Sequence, residues 1–312
     1  MSRMRQRGLT VVELLIAATL GLLVVLMAAT MLVASNAAFV AQAEAAGVDD
    51  AGRFALAVIE RAARQSAFID WEREDVAAGI DPAAPPAVRG LDAASLSSSS
   101  AALADPRPPA VNGSDVLALR FAGSGAGDGD GSATTCAGFS VGAGQDGWSI
   151  FYVGAGSGGE PELRCKFRGA NNWSAEAVIG GIDSFQVLYG LDTDAVPDGV
   201  ANVYLSASEV NAREDTLAIE GASEQERQRE RQRKSWWKRV ASIKVSLVVH
   251  GARQSHQVGG PALYMLFGAG YNNGADAGTR VKRADMSPAL TQRERRMFSS
   301  TILLRNPLRP SP

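Results

Sequence analysis

The 312-residue sequence predicts an α+β fold: one long N-terminal helix, with a membrane-spanning first half, followed by a β-rich globular head. Three observations predict it. An apolar run from Leu14 to Ala34 matches the roughly 20 residues a helix needs to cross the hydrocarbon core. Helical periodicity then continues, with no proline before Pro82. From residue 115 onward, short runs of alternating or β-branched apolar residues recur between Gly, Asp and Asn, the pattern of strands separated by turns.

Residues 1–8 are basic, with Arg3, Arg5 and Arg7 and no acid. Such a flank stays on the cytoplasmic side of a membrane segment. Residues 9–34 form the expected transmembrane half of the helix. Its polar interruptions, Thr19 and Thr30, carry hydroxyls that can bond back to helical carbonyls. The run is longer than the 7–15 residues typical of a cleaved secretory signal, although Ala28-Ala29-Thr30 and Ala34-Ser35-Asn36-Ala37 offer small residues for such a cut. An unprocessed single-pass anchor is the other plain reading. Neither gives a reason for Gly8 at the basic-to-apolar junction with Glu13 just inside the apolar side. An unpaired charge near the end of a span costs on the order of a few kcal/mol, and a lone carboxylate there protonates or recruits a cation. Cleavage at Gly8 and assembly beside related helices would supply that cation, because the new amine at Leu9 of one chain can meet Glu13 of the next.

Residues 35–70 are expected to continue the helix as an amphipathic half. Phe54, Val58 and Arg61 fall on one face, with Leu56, Ile59 and Ala63 adjacent, the pattern of a helix docked on one side. One helix is therefore expected from about Thr10 to about Ala67, loosened at Gly47 and Gly52.

Residues 71–312 form the expected head, with loops at 81–109 and 211–239. Asp81 to Pro109 is rich in Ala, Pro and Ser and reads as a surface loop or linker. Strands are expected at Asp115–Phe121, Trp148–Val153, Glu162–Phe167, Ile182–Tyr189 and Val240–His250. Gly123 to Gly131 lacks the lysine of a phosphate loop and reads as a flexible turn. Glu224 to Arg239 alternates Glu and Arg at helical spacing and ends in Trp236-Trp237; it reads as a solvated helix or disordered insertion. A sharper reading makes its basic, tryptophan-bearing end a docking site for a membrane surface or acidic partner. Asp192, Asp194 and Asp198, with the Asn202 amide, would offer hard oxygen ligands to calcium. Val196 stands at the third ligand position and no bidentate Glu follows, so a metal-free acidic turn is the competing reading. No other cofactor is expected.

Cys136 and Cys165 are the only cysteines. Outside the cytoplasm they can form a disulfide, closing a loop worth about 3–4 kcal/mol in the chain-entropy model; two buried thiols are the alternative. A metal site there would need more ligands than His250 and His256 provide. The formal net charge of -2 becomes -5 once three leader arginines are removed, which argues against a nucleic-acid partner. No nucleophile elbow, metal triad or clustered His/Asp/Ser set marks an enzyme.

Gly8-Leu9-Thr10-Val11-Val12-Glu13-Leu14-Leu15-Ile16-Ala17 resembles the class III signal of type IV pilins and type II secretion pseudopilins. The resemblance implies a pilin-like fold, cleavage after Gly8 by a prepilin peptidase on the cytoplasmic face, and N-methylation of Leu9. Many members begin the mature chain with Phe, so Leu9 is a mild departure. Further along, Ile182 to Asp194, Val240 to Val249 and Arg295 to Asn306 resemble the core, the following strand and the C-terminal strand of PilW-type minor pilins. That implies a low-abundance subunit that primes pilus assembly with other minor pilins and the major pilin on an inner-membrane assembly platform. Its head would lie in the periplasm and later at the pilus base or tip. A large J-type pseudopilin of a type II secretion system and a pilus-borne adhesin are the competing classes.

Overall fold

The computed structural model describes residues 10–66, 83–108, 111–254, 261–286, 290 and 292–304. The chain divides into two units, Met1–Gly47 and Val48–Pro312. Helix α1, Val11–Ser66, is continuous through both Gly47 and Gly52. In the first unit every residue from Thr10 to Ala43 is exposed. The helix is long and apolar enough to cross a membrane. The Thr19 and Thr30 hydroxyls donate to the carbonyls of Ile16 and Met27 at 2.9 and 2.8 Å, so neither leaves a free donor on an apolar surface.

In the second unit two antiparallel sheets enclose the core. Sheet I has the order β1-β4-β5-β6-β7, from Val88–Leu91, Val116–Ala122, Asp146–Ala155, Pro161–Arg168 and Trp173–Gly180. Sheet II has the order β13-β10-β8-β9, from Arg293–Leu303, Val240–Gln254, Ile182–Leu191 and Val203–Leu205. Two small hairpins complete the strands, β2 (Ser95–Leu96) with β3 (Pro106–Arg107) and β11 (Leu263–Met265) with β12 (Arg280–Lys282). Gly181 alone separates β7 of one sheet from β8 of the other. It has φ 80°, and a Cβ there would lie 2.6 Å from the His250 carbonyl oxygen. Only glycine makes this change of sheet without strain.

The five expected strands correspond to β4, β5, β6, β8 and β10, and β13 covers most of the expected C-terminal strand. Register pairs Ile243 with Tyr189, Val245 with Val187 and Leu247 with Phe185, placing all six in the core.

Two expectations about α1 need correction. The buried face is Val48, Gly52, Ala55, Ile59, Ala62, Ala63 and Ser66, whereas Phe54 is 51% exposed and Arg61 is exposed. Ile59 and Ala63 are buried as expected, and Leu56 and Val58 pack partly buried against the core, so only Phe54 and Arg61 point away; the space beneath α1 admits mostly small residues. Gly52 does not loosen the helix but is a close-approach site, where a Cβ would meet the Phe298 ring at 2.3 Å. Asp49 pairs with Arg296 of β13 at 2.6 Å beside it.

The expected loop at 81–109 also contains structure, namely β1, β2 and β3. Leu96 is buried against Val116, Ile150 and Tyr152 on the outer face of sheet I. Lys166, fully buried in β6, donates to Ser100 Oγ at 3.0 Å and the Ala102 carbonyl at 2.8 Å. Burial pushes its ammonium down to about 8. The expected loop at 211–239 holds the end of α2 (Ala207–Glu214), all of α3 (Glu224–Lys234) and a 3-10 turn at Trp236–Arg239. Helix α3 has no buried residue and is laced by Arg227–Glu224, Arg233–Glu230 and Lys234–Glu230 pairs.

The two helix glycines should respond to substitution with opposite sign. Gly52→Leu should lower unfolding free energy by about 1–3 kcal/mol through overpacking. Gly47→Ala, whose Cβ meets nothing within 4 Å, should be neutral or stabilise by up to about 1 kcal/mol through helix propensity. Chemical denaturation of the full chain in detergent measures both.

Candidate functional site

At the start of α1, Thr10 and Glu13 close a reciprocal cap. The Thr10 N–H and hydroxyl both donate to Glu13 Oε2 at 2.9 Å, and the Glu13 N–H donates to Thr10 Oγ1 at 3.3 Å. This is the S/T-x-x-E capping box. The spacing Thr10-Val11-Val12-Glu13 carries it, a local role for Glu13 beside the expected contact with a neighbouring chain. Both bonds go to Oε2 and neither uses Oε1. The helix macrodipole also favours an anion at this end. Gly8 and Leu9, the expected processing residues, lie outside the described residues.

In the head, Cys136 and Cys165 form a disulfide with a Cα–Cα distance of 5.9 Å. Cys165 is buried in β6, while Cys136 belongs to the long connection between β4 and β5 and donates its N–H to Ser149 Oγ at 2.9 Å. The bridge pins that glycine-rich connection to sheet I.

The expected calcium loop is an internally bonded turn. One oxygen each from Asp192, Asp194 and Asp198 lies within 4.8 Å of the others. Asp192 accepts from the N–H groups of Asp194 and Gly199 at 3.1 and 2.7 Å, and Asp198 from Val200 at 2.8 Å. The Asn202 amide donates to Asp194 at 3.3 Å and its oxygen accepts from the Thr193 N–H at 2.6 Å. These oxygens do the work of Asx turns.

Trp237 is buried and stacks edge-on against Tyr189 at 4.8 Å between centroids, with its indole N–H donating to Asn211 at 2.9 Å. Trp236 lies between the guanidinium groups of Arg213 and Arg239, 5.5 and 5.1 Å from its ring centre. The paired tryptophans thus anchor the charged segment to the head, and their packing accounts for them without an external surface.

A buried polar network missed from the sequence joins three strands of sheet II. Asp183 of β8 accepts from Arg295 Nε of β13 at 2.7 Å and pairs with His250 Nδ1 of β10 at 3.0 Å. All three side chains are at most 2% exposed. Arg293 and Glu160 pair at 2.6 Å nearby. Removing one member of such a network leaves a buried charge uncompensated and costs about 3–5 kcal/mol. The three side chains clasp β8, β10 and β13 together. The other histidine, His256, and the C-terminal Arg305-Asn306 lie outside the described residues.

The chain thus joins an apolar helix of membrane-spanning length, with a capped carboxylate at its start, to a disulfide-closed β-rich head. The family model for type IV pilus-assembly protein W matches residues 150–306, half of the chain, from β5 through the end of β13. The chain belongs to the type IV pilus-assembly protein W (PilW) family. Among solved structures it is similar to a type IV-like pilin from Thermus thermophilus, at 13% identity and a TM-score of 0.30, over 70% of this chain and 84% of that one. No curated protein matches the chain.

The disulfide has a direct consequence. Thiol labelling of the denatured, unreduced protein should find no reactive cysteine. Replacing both cysteines by serine should lower unfolding free energy by about 3–4 kcal/mol, as read from denaturant midpoints.

Proposed function

We propose that this chain is a minor pilin that primes type IV pilus assembly. Prepilin peptidase cleaves it after Gly8, Leu9 is N-methylated, and Glu13 pairs with the amino terminus of a neighbouring subunit. The spanning half of α1 holds it in the bacterial inner membrane with the head in the periplasm. There it meets other minor pilins, the major pilin and the assembly platform, before taking a position at the pilus base or tip.

The observation that carries this reading is where the family match lies. It covers head residues 150–306, whereas the stem is of a kind that pilins and secretion pseudopilins share. A subunit with so bulky a head would also be awkward to pack at every filament position. The exposed apolar surface of α1 from Val11 to Val33 needs lipid or other helices to cover it, and a filament core supplies the second after the membrane supplies the first.

Deletion with complementation tests the role when surface pili, twitching and protein secretion are scored separately. Loss of pili with secretion intact is the expected result; loss of secretion with pili intact would assign the chain to a secretion system instead. Complementation with Glu13→Val should leave the protein in the membrane fraction yet fail to restore pili, and normal piliation by that variant would remove Glu13 from the mechanism. Mass spectrometry of the mature protein should find a methylated Leu9 terminus. A chain still beginning at Met1 would end the processing proposal.

A further inference from the structure

Three carboxylates from distant parts of the head meet in one corner. Asp92 follows β1, Asp115 precedes β4, and Asp276 lies in the turn leading to β12; one oxygen from each is within 4.8 Å of the others. Asp115 and Asp276 are 2% and 7% exposed. Asp92 accepts from the N–H groups of Ala207 and Ser208 at the start of α2, at 2.8 and 2.7 Å. Asp115 accepts from Ala93 and Val187 at 3.0 and 2.9 Å. Asp276 Oδ2 accepts from the Tyr271 hydroxyl at 2.6 Å, while its Oδ1 is buried and has no hydrogen-bond partner. Among the described residues, none of the three forms an ion pair with Lys, Arg or His. Backbone amides satisfy lone pairs, but they do not neutralise three neighbouring acids.

A separate group points to the same corner. Tyr189, 1% exposed on β8, carries a hydroxyl without a hydrogen-bond partner. It approaches β1 so closely that a Cβ at Gly90 would lie 1.7 Å from it. After burial itself, the charges of Asp115, Asp92 and Asp276 are what hold its phenol proton on. An orphan carboxylate oxygen and two further carboxylates make an all-oxygen donor set without sulfur or imidazole, with the orphan Tyr189 hydroxyl buried beside β1. Calcium accepts such irregular sets at high coordination, whereas magnesium demands near-octahedral geometry and keeps its waters.

We propose that Asp92, Asp115 and Asp276, with the Tyr189 hydroxyl at the edge, bind a calcium ion that ties β1, β4 and the β12 turn together. This site is separate from the acidic turn at 192–202 and does not depend on the pilus reading.

The full chain in detergent, stripped with EDTA, is melted at neutral pH with calcium chloride or magnesium chloride, beside Asp276→Asn and Asp198→Asn. Calcium should raise the Tm of the wild type by several degrees, saturably and at lower concentration than magnesium. The rise should vanish in Asp276→Asn and persist in Asp198→Asn. No rise in the wild type, a rise that survives Asp276→Asn, or a rise lost in Asp198→Asn would each overturn the site. Should Asp276→Asn fail to fold, terbium decides. Emission excited through the aromatic rings beside Tyr189, displaced by calcium and retained in Asp198→Asn, supports the site, and its absence in that variant overturns it.

Discussion

The head depends on a narrow, small-residue face of one helix fitting between two sheets. Ala55, Ile59, Ala62 and Ala63 of α1 share one apolar cluster with Leu117, Leu119, Phe151 and Leu163 of sheet I and with Phe185, Val187, Ile243 and Leu247 of sheet II. The two sheets also meet each other directly within this cluster. The close approach is set by Gly52 beneath Phe298, and the Asp49–Arg296 pair fixes the helix against β13 at the same level. A helix whose first half is apolar all round, for lipid or for other helices, must therefore change character near Val48, where the surface it meets becomes protein. The change is from many large apolar residues to a few small ones, because a sheet face with Phe298 on it leaves little depth.

Polar and covalent ties add to this core. The clasp of Asp183, His250 and Arg295 joins β8, β10 and β13 at the end of sheet II where Gly181 passes the chain between sheets; the His250 N–H also donates to the Gly181 carbonyl at 2.8 Å. The Cys136–Cys165 bridge does the equivalent for the loose connection on sheet I. The capping of α2 by Asp92, a residue far away in sequence, links the β1 edge to the segment between β9 and β10. The disulfide holds a glycine-rich connection that buries little apolar area of its own, whereas the clasp adds a polar tie to strands already packed in the core.

How much of this was legible in the sequence follows from which signals are local. Strands β4, β5, β6, β8 and β10 carry alternating or continuous apolar residues, and that pattern marks them. Strand β7 is a half-exposed edge whose residues, Trp173 to Gly180, include two alanines and a glutamate, so its pattern is weak. Strands β1 to β3 owe their form to what they pack on, such as Lys166 and Ile150, which no local window contains. On α1 the spacing marks Ile59 and Ala63 correctly, but Phe54, large and apolar, points outward, because size is no guide to direction. The capping box was present as Thr10 and Glu13 three residues apart. The carboxylate cluster was not, since Asp92, Asp115 and Asp276 come from segments joined only by the fold.

That capping box sharpens the assembly contact proposed for Glu13. In an isolated subunit the carboxylate already has a partner in Thr10, so the two interactions must be weighed. Loss of a helix cap costs about 1 kcal/mol, whereas an unpaired charge in the membrane costs on the order of a few kcal/mol. A charged amine from a neighbouring chain therefore outbids the cap if the two compete. The geometry makes competition unnecessary, because Thr10 holds Oε2 through two bonds and leaves Oε1 to a donor from outside. The cap then serves to preorganise: it fixes the direction of Glu13 before a neighbour arrives and lowers the ordering cost of the contact. Under this view Thr10 acts through Glu13, and the register between subunits is set by a carboxylate whose orientation its own chain has already fixed.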